Sequence, residues 1–202
     1  MKIDSPEQLA AIDFAKADGL VPAIVQHYAT GEVLMLGFAD AEALRRCLET
    51  GELWLYSRSR QQYWRKGETS GHTQRVVDMH ADCDSDSVLV HVDPSGPTCH
   101  TGTRSCFAAP PVLVALSDVI AQRAAGGAET GYTVRLLGNE NLRLKKLGEE
   151  AIELALACQS QDPDRSAEEA ADLIYHALVA CSAAGASLDD ILKRLATRAR
   201  PV

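Results

Sequence analysis

Apolar residues in the first half of the chain come in short runs separated by turn-forming residues. Residues 21–28 (V-P-A-I-V-Q-H-Y) and 32–38 (E-V-L-M-L-G-F) are two such runs joined by A-T-G, which predicts a β-hairpin. Residues 40–48 have helical character and stop near Gly51, and 52–57 (E-L-W-L-Y-S) return to strand. After a basic loop, 73–79 and 87–93 read as two further strands. The V-L-V-H-V of the second alternates imperfectly, as a strand does when both faces are partly covered. An Asp-rich turn joins these two strands, and a stretch containing Gly and Pro follows them.

At A-A-P-P (108–111) the texture changes, and two consecutive prolines in a chain turning Ala- and Leu-rich mark a domain boundary. Within 141–159, Leu144, Leu147, Ala151, Leu154 and Cys158 recur at alternating three- and four-residue steps, the period of an amphipathic helix. Ala167, Ala171, Ile174, Leu178 and Cys181 repeat the pattern after the break Q-D-P-D-R. Residues 188–198 make another helix, entered through Ser187 as N-cap with Asp190 three positions on. The expected fold is therefore a strand-rich α+β domain over 1–109 followed by an all-α domain over 110–202.

Charge narrows the partners. Acidic residues outnumber basic ones, 28 to 20, and a net charge of −8 repels a polyanion, so no nucleic-acid partner is expected. The exception is local: Arg58, Arg60, Arg65, Lys66 and Arg75 stand against the single carboxylate Glu68, a basic island suited to a small phosphorylated ligand. No apolar run reaches the ~18 residues of a membrane span and no targeting pattern precedes the first charges, so no membrane partner and a cytoplasmic address are expected.

The chemistry concentrates in D-C-D-S-D, with Asp82, Cys83, Asp84 and Asp86, and in C-H-T-G-T-R-S-C, with Cys99, His100 and Cys106. Three thiols beside three carboxylates read as a soft metal next to a hard one, since zinc takes Cys and His whereas magnesium or calcium takes oxygen. Three strong ligands without an obvious fourth leave a position for an activated water. A Cys99–Cys106 disulfide conflicts with a reducing cytoplasm. A closed structural zinc site with His100 as fourth ligand is the stronger rival, although neighbouring side chains diverge in extended backbone.

In the helical half, Glu150 and Glu153 lie three residues apart, and Glu169 and Asp172 repeat the spacing. Four converging carboxylates would hold Mg²⁺ or Mn²⁺, with Lys145, Lys146 and His176 near enough to meet phosphate oxygens. The alternative is a solvated face with Lys145 paired to Glu149 and Lys146 to Glu150. A di-iron site is the competitor, but its usual Glu-x-x-His is missing.

The motifs S-R-S-R-Q-Q-Y-W-R-K-G-E-T-S-G-H-T-Q (57–74), D-C-D-S-D (82–86) and G-P-T-C-H-T-G-T-R-S-C-F (96–107) resemble the phosphoribosyl-AMP cyclohydrolases. G-Y-T-V-R-L-L (131–137), K-K-L-G-E-E-A-I-E (145–153) and E-A-A-D-L-I-Y-H (169–176) resemble the phosphoribosyl-ATP pyrophosphohydrolases and the wider all-helical, MazG-like enzymes. Together they resemble the family of histidine-biosynthesis proteins that fuse the two. The resemblance implies zinc at Cys83, Cys99 and Cys106, magnesium at Asp82, Asp84 and Asp86, and a homodimer in which Cys83 and the other two zinc cysteines come from different subunits. It also implies Mg²⁺-dependent pyrophosphate release, with Glu153 essential, followed by hydrolytic opening of the adenine ring at C6. His100, beside a ligand, is the acid/base candidate. The G-E-T-S-G loop offers Gly67, Thr69, Ser70 and Gly71 to a phosphate, helped by Arg58, Arg65 and Lys66, and Trp64 either stacks on a base or belongs to the core. His27, His72, His80 and His91 carry no assigned role. Two rivals remain: a nucleobase deaminase, whose H-x-E and P-C-x-x-C spacing is missing, and a zinc-stabilised nucleotide-binding module without turnover.

Overall fold

The structure is a computed structural model and describes residues 1–127 and 130–199. Strand β1 (Lys2–Ile3) and two short 3₁₀ turns, Pro6–Ala11 and Phe14–Ala17, open the chain. They are followed by β2 (Val21–His27), β3 (Val33–Ala39), α1 (Ala41–Thr50), β4 (Trp54–Ser57), β5 (Gln62–Arg65), β6 (Gln74–Ala81) and β7 (Val88–Pro94). The rest is helical: α2 (Val112–Ala124), α3 (Tyr132–Gly138), α4 (Glu140–Gln159), α5 (Pro163–Ala183) and α6 (Leu188–Ala196). The division into units falls between Pro111 and Val112, two residues beyond the boundary expected from the prolines, and the expected end at 202 lies outside the described residues.

A five-stranded sheet in the order β1-β6-β7-β2-β3 dominates the first unit, with β2 and β7 parallel and the other pairs antiparallel. Period-two alternation decides its faces. Val21, Ala23 and Val25 on β2 and Val88, Val90 and Val92 on β7 point into the core. Fully burying each such Val is worth about 1.5–3 kcal/mol. Helix α1 covers this face with Ala43, Leu44 and Cys47. Asp40 caps its start by accepting from the Ala43 amide, and Gly51 ends it in the left-handed region at φ 69°. The register shifts twice, between Val25 and Gln26 on the β2–β3 pair and on β6, which gains a residue between Val76 and Asp78, so Asp78 rather than Val77 stands opposite His91. The basic loop expected between 57 and 73 contains a strand, because Q-Y-W-R folds back on β4 as an antiparallel hairpin.

In the second unit, α4 and α5 are joined by residues 160–162, a connection short enough to make them antiparallel neighbours. Asp162 caps α5 by accepting from the Arg165 amide, with Pro163 in the first turn, and Ser187 and Asp190 form the expected capping box of α6. Val114, Ile120, Leu136, Leu178, Val179 and Leu188 form a separate core. Leu144 and Ile174, expected in the buried stripe, are instead about half exposed, as are Ile152 and Leu156. No single helix among the described residues is long and apolar enough to cross a membrane; α5 and α6 meet that test only as a bent pair, and both contribute to the core.

Candidate active sites

The segment after β7 is shaped by backbone hydrogen bonds. A turn closes from Cys99 to Gly102, whose amide donates to the Cys99 carbonyl at 3.1 Å, and the Cys99 amide donates to Thr103 O at 3.0 Å. The Cys106 amide reaches Leu34 O at 2.8 Å and Ser105 Oγ reaches Val33 O at 2.7 Å, which staples the loop to β3. Cys99 and Cys106 are thereby brought together as thiols. The Thr101 hydroxyl donates to Cys99 Sγ at 3.1 Å, and this donation, with help from the Thr101 amide and Thr103, brings the Cys99 thiol down to about 6. Cys106 is held above the usual thiol range, first by burial and then by Cys99. At neutral pH this leaves a thiolate beside a thiol.

His100 Nδ1 lies 3.9 Å from Cys99 Sγ, so the turn brings these neighbours together where extended backbone would have parted them. Both line an open cleft with Trp64, Lys66, Thr69, Ser70 and His72. The Gly67 amide-bearing loop shapes its floor. Gly67 sits at φ 87°, and a Cβ there would fall 2.4 Å from the His72 carbonyl, so no other residue fits. The loop closes through the Gly71 amide donating to Gly67 O at 2.9 Å. Trp64 answers both expectations: it packs on the core cluster and lines the cleft. Arg65 lines the cleft but is ion-paired to Glu52, and Arg58 lies over the Phe38 ring at 3.5 Å, outside the lining.

Asp82, Asp84 and Asp86 bring carboxylate oxygens within 4.8 Å of one another in the turn between β6 and β7. Oδ1 of Asp82 accepts from the Asp86 and Ser87 amides, at 3.0 and 3.2 Å, and the Ser87 hydroxyl, ahead of these two amides, holds its pKa below the usual range. Nothing in the motif announced Lys16. Its ammonium bridges Asp84 and Asp86 at 2.6 and 2.7 Å, a built-in cation facing the cluster. Cys83 neighbours these carboxylates in sequence and is exposed. Among the described residues, no group converging within 4.8 Å joins it to Cys99 and Cys106.

On α4 and α5, Glu150, Glu153 and Glu169 converge within 4.8 Å of one another; Asp172 falls outside that group. Glu153 is held above 4.5 by burial and by the like charges of Glu150 and Glu169. Glu150 is buried beside Lys146, 2.7 Å away, and His176 Nε2, 3.8 Å away. Burial lowers His176 below its ordinary pKa, against the pull of Glu150, and its Nδ1 is buried without a hydrogen-bond partner among the described residues. The Lys145–Glu149 and Lys146–Glu150 pairs of a solvated face are both made, yet Glu150 is only 4 % exposed, so the face they lie on is not simply solvated.

Residues 35–108 match the family model of phosphoribosyl-AMP cyclohydrolase, and residues 113–199 that of phosphoribosyl-ATP pyrophosphohydrolase. The chain is similar along nearly its whole length to the histidine biosynthesis bifunctional protein HisIE of Shewanella oneidensis, 44 % identical over 96 % of this chain and 94 % of that one. It is likewise similar to HisIE of Nostoc sp., 44 % identical over 97 % of both chains. HisIE of Escherichia coli (strain K12) is 43 % identical over 95 % of this chain and 97 % of its own.

Proposed function

The chain belongs to the family that fuses a phosphoribosyl-AMP cyclohydrolase to a phosphoribosyl-ATP pyrophosphohydrolase, and from that premise we propose how its own residues serve each reaction. It is a bifunctional enzyme of histidine biosynthesis: the helical domain releases pyrophosphate from phosphoribosyl-ATP, and the strand-rich domain opens the adenine ring of the resulting phosphoribosyl-AMP. What carries the reading of the sites is that each domain gathers a ligand set suited to its own step. In the first this is a thiolate-forming Cys99 beside Cys106, and in the second three carboxylates on facing helices.

In the strand-rich domain, Cys99 and Cys106 hold zinc together with Cys83 of a second copy of the chain. When bound, zinc lowers the pKa of a water molecule and so supplies a nucleophile near neutral pH. Water adds at C6 of the adenine ring, the N1–C6 bond opens and N1 takes up a proton, leaving a carboxamide. His100, in the same cleft, accepts and returns that proton. Lys66, Thr69, Ser70 and the amides of the Gly67–Gly71 turn hold a substrate phosphate, and Trp64 offers its ring to the base. Asp82, Asp84 and Asp86 hold magnesium, a fit supported by the Lys16 ammonium they already attract.

The helical domain is of the MazG-like type, a reading supported by the E-x-x-E and E-x-x-D pairs on antiparallel helices. Glu150, Glu153 and Glu169, with Asp172 from the next turn, hold Mg²⁺, whose charge when bound offsets that of the triphosphate. Lys145, Lys146 and His176 meet phosphate oxygens. The working unit is a homodimer in the cytoplasm. The dimer is supported by Cys83 joining no group with Cys99 and Cys106 among the described residues and by the uncovered Leu36, Val77, Phe107, Leu144 and Ile152.

Incubation with phosphoribosyl-ATP and Mg²⁺ tests the reading: pyrophosphate should appear first and the ultraviolet change of ring opening second. Glu153→Gln should stop pyrophosphate release yet still open added phosphoribosyl-AMP, and Cys99→Ser should do the reverse. Tight binding with neither product would make the chain a nucleotide-binding module instead.

A further inference from the structure

The large sheet carries a side-chain group that neither reaction uses. Asp78 and His80 on β6 and His91 on β7 bring a carboxylate oxygen and two ring nitrogens within 4.8 Å of one another. His91 Nδ1 lies 2.6 Å and His80 Nε2 3.1 Å from Asp78 Oδ1. The bulge at Val76/Asp78 creates the group. It sets Asp78 opposite His91, so these two and His80 share one face, away from the side on which Val88, Val90 and Val92 are buried.

Gln26 supplies a second, independent observation. It pairs in register with His91 from β2, and its Nε2 donates to the Gly31 carbonyl at 2.7 Å, which turns Oε1 toward His91 Nε2 at 3.0 Å. An amide oxygen only accepts, so Nε2 of His91 carries a hydrogen. With one ring proton, Nδ1 therefore presents its lone pair to a carboxylate oxygen 2.6 Å away. Two lone pairs at that distance repel unless a cation, a second proton or a metal ion, lies between them. An imidazole whose far N–H is tied to a carbonyl oxygen while its near nitrogen is left as an acceptor has the tautomer and orientation of a metal ligand.

We propose that Asp78, His80 and His91 bind a divalent first-row transition ion through two imidazole nitrogens and a carboxylate oxygen, a donor set that suits zinc. The side chains keep between 26 % and 39 % of their surface exposed, enough for water to complete the shell. The ligand set shares no residue with the cysteine, aspartate or glutamate groups. The ion ties β6 to β7 and, through Gln26, to β2.

The full-length protein and its His80→Ala/His91→Ala variant, dialysed against the same free Zn²⁺, should differ by one equivalent of zinc per chain on elemental analysis. Cyclohydrolase activity should be kept, because the cysteine ligands are untouched. Added zinc should also raise the melting temperature of the parent more than that of the variant. Equal metal content in the two proteins overturns the proposal and assigns the space to a proton. If circular dichroism shows the double variant misfolded, Asp78→Asn, which keeps the size of the side chain, is measured in its place and decided by the same one equivalent.

Discussion

The Cys99 thiol owes its acidity to hydroxyl and amide donors in its own turn. Removing the first of these should be felt at once. In metal-free protein, Thr101→Val should shift the midpoint of the pH–rate profile for Cys99 alkylation upward from about 6, toward the ordinary 9.0. An unmoved midpoint would show that Thr101 is not the chief cause. Glu153 makes the opposite case, a carboxyl held above 4.5 by burial, Glu150 and Glu169. A group whose folded pKa is raised contributes stability that is present below its unfolded pKa and lost as pH rises through the folded one. In chelator, then, Glu153→Gln should melt above the parent at pH 7, with the gap closing as pH falls toward 4.5, where Glu153 carries its own proton. Saturating Mg²⁺ should reverse the order, because the parent then gains a ligand the variant lacks. Differential scanning calorimetry at both pH values checks the sign.

At the scale of elements, the turn between β6 and β7 is a carboxylate cluster with its own counter-ion. Lys16 reaches it from the turn Phe14–Ala17, which the Asp13 amide ties down by donating to Ser85 O at 2.8 Å. Both partners are largely solvated, so the pair adds little to stability. It does compete with an added ion. Lys16→Ala should lower the Mg²⁺ concentration that half-saturates this turn by several-fold and leave the melting temperature almost unchanged, as read by titration calorimetry on the Glu153→Gln background. A half-saturation point that stays would mean that Lys16 does not compete, and one that rises would mean that it assists the metal. Strand β5 shows why elements of this kind escape a reading by period: Q-Y-W-R is too short to declare itself and becomes a strand only by pairing with β4. The apolar stripe on α4 shows the converse: its period does mark a helix, but Leu144, Ala151 and Cys158 of the stripe are exposed and the residues α4 buries are Glu150 and Ala157.

At the scale of the molecule, two separate cores stand behind two activities, and the zinc site proposed above draws on a second copy of the chain. A mixture makes that testable. Cys83→Ser and Cys99→Ser proteins are each expected to be inactive as cyclohydrolases. After unfolding and refolding together, half the dimers are mixed and each mixed dimer keeps one intact site, so about a quarter of the parent activity should return. No recovery would place all three cysteines in one subunit. Pyrophosphate release should be untouched throughout.

The change from strand to helix at the double proline and the approximate limits of α1, α4 and α6 were legible in the residues alone, because period and capping are local properties. Legible too was the pairing of Glu150 and Glu153 with a partner carboxylate one helix later. Only the folded chain decided that Lys16 faces the aspartates, that Arg58 lies over Phe38 and not in the cleft, and that Asp78 meets His80 and His91. Each of these depends on contacts between residues far apart in sequence or on a one-residue bulge, and a bulge moves side chains from one face of a sheet to the other while leaving the composition of the strand unaltered.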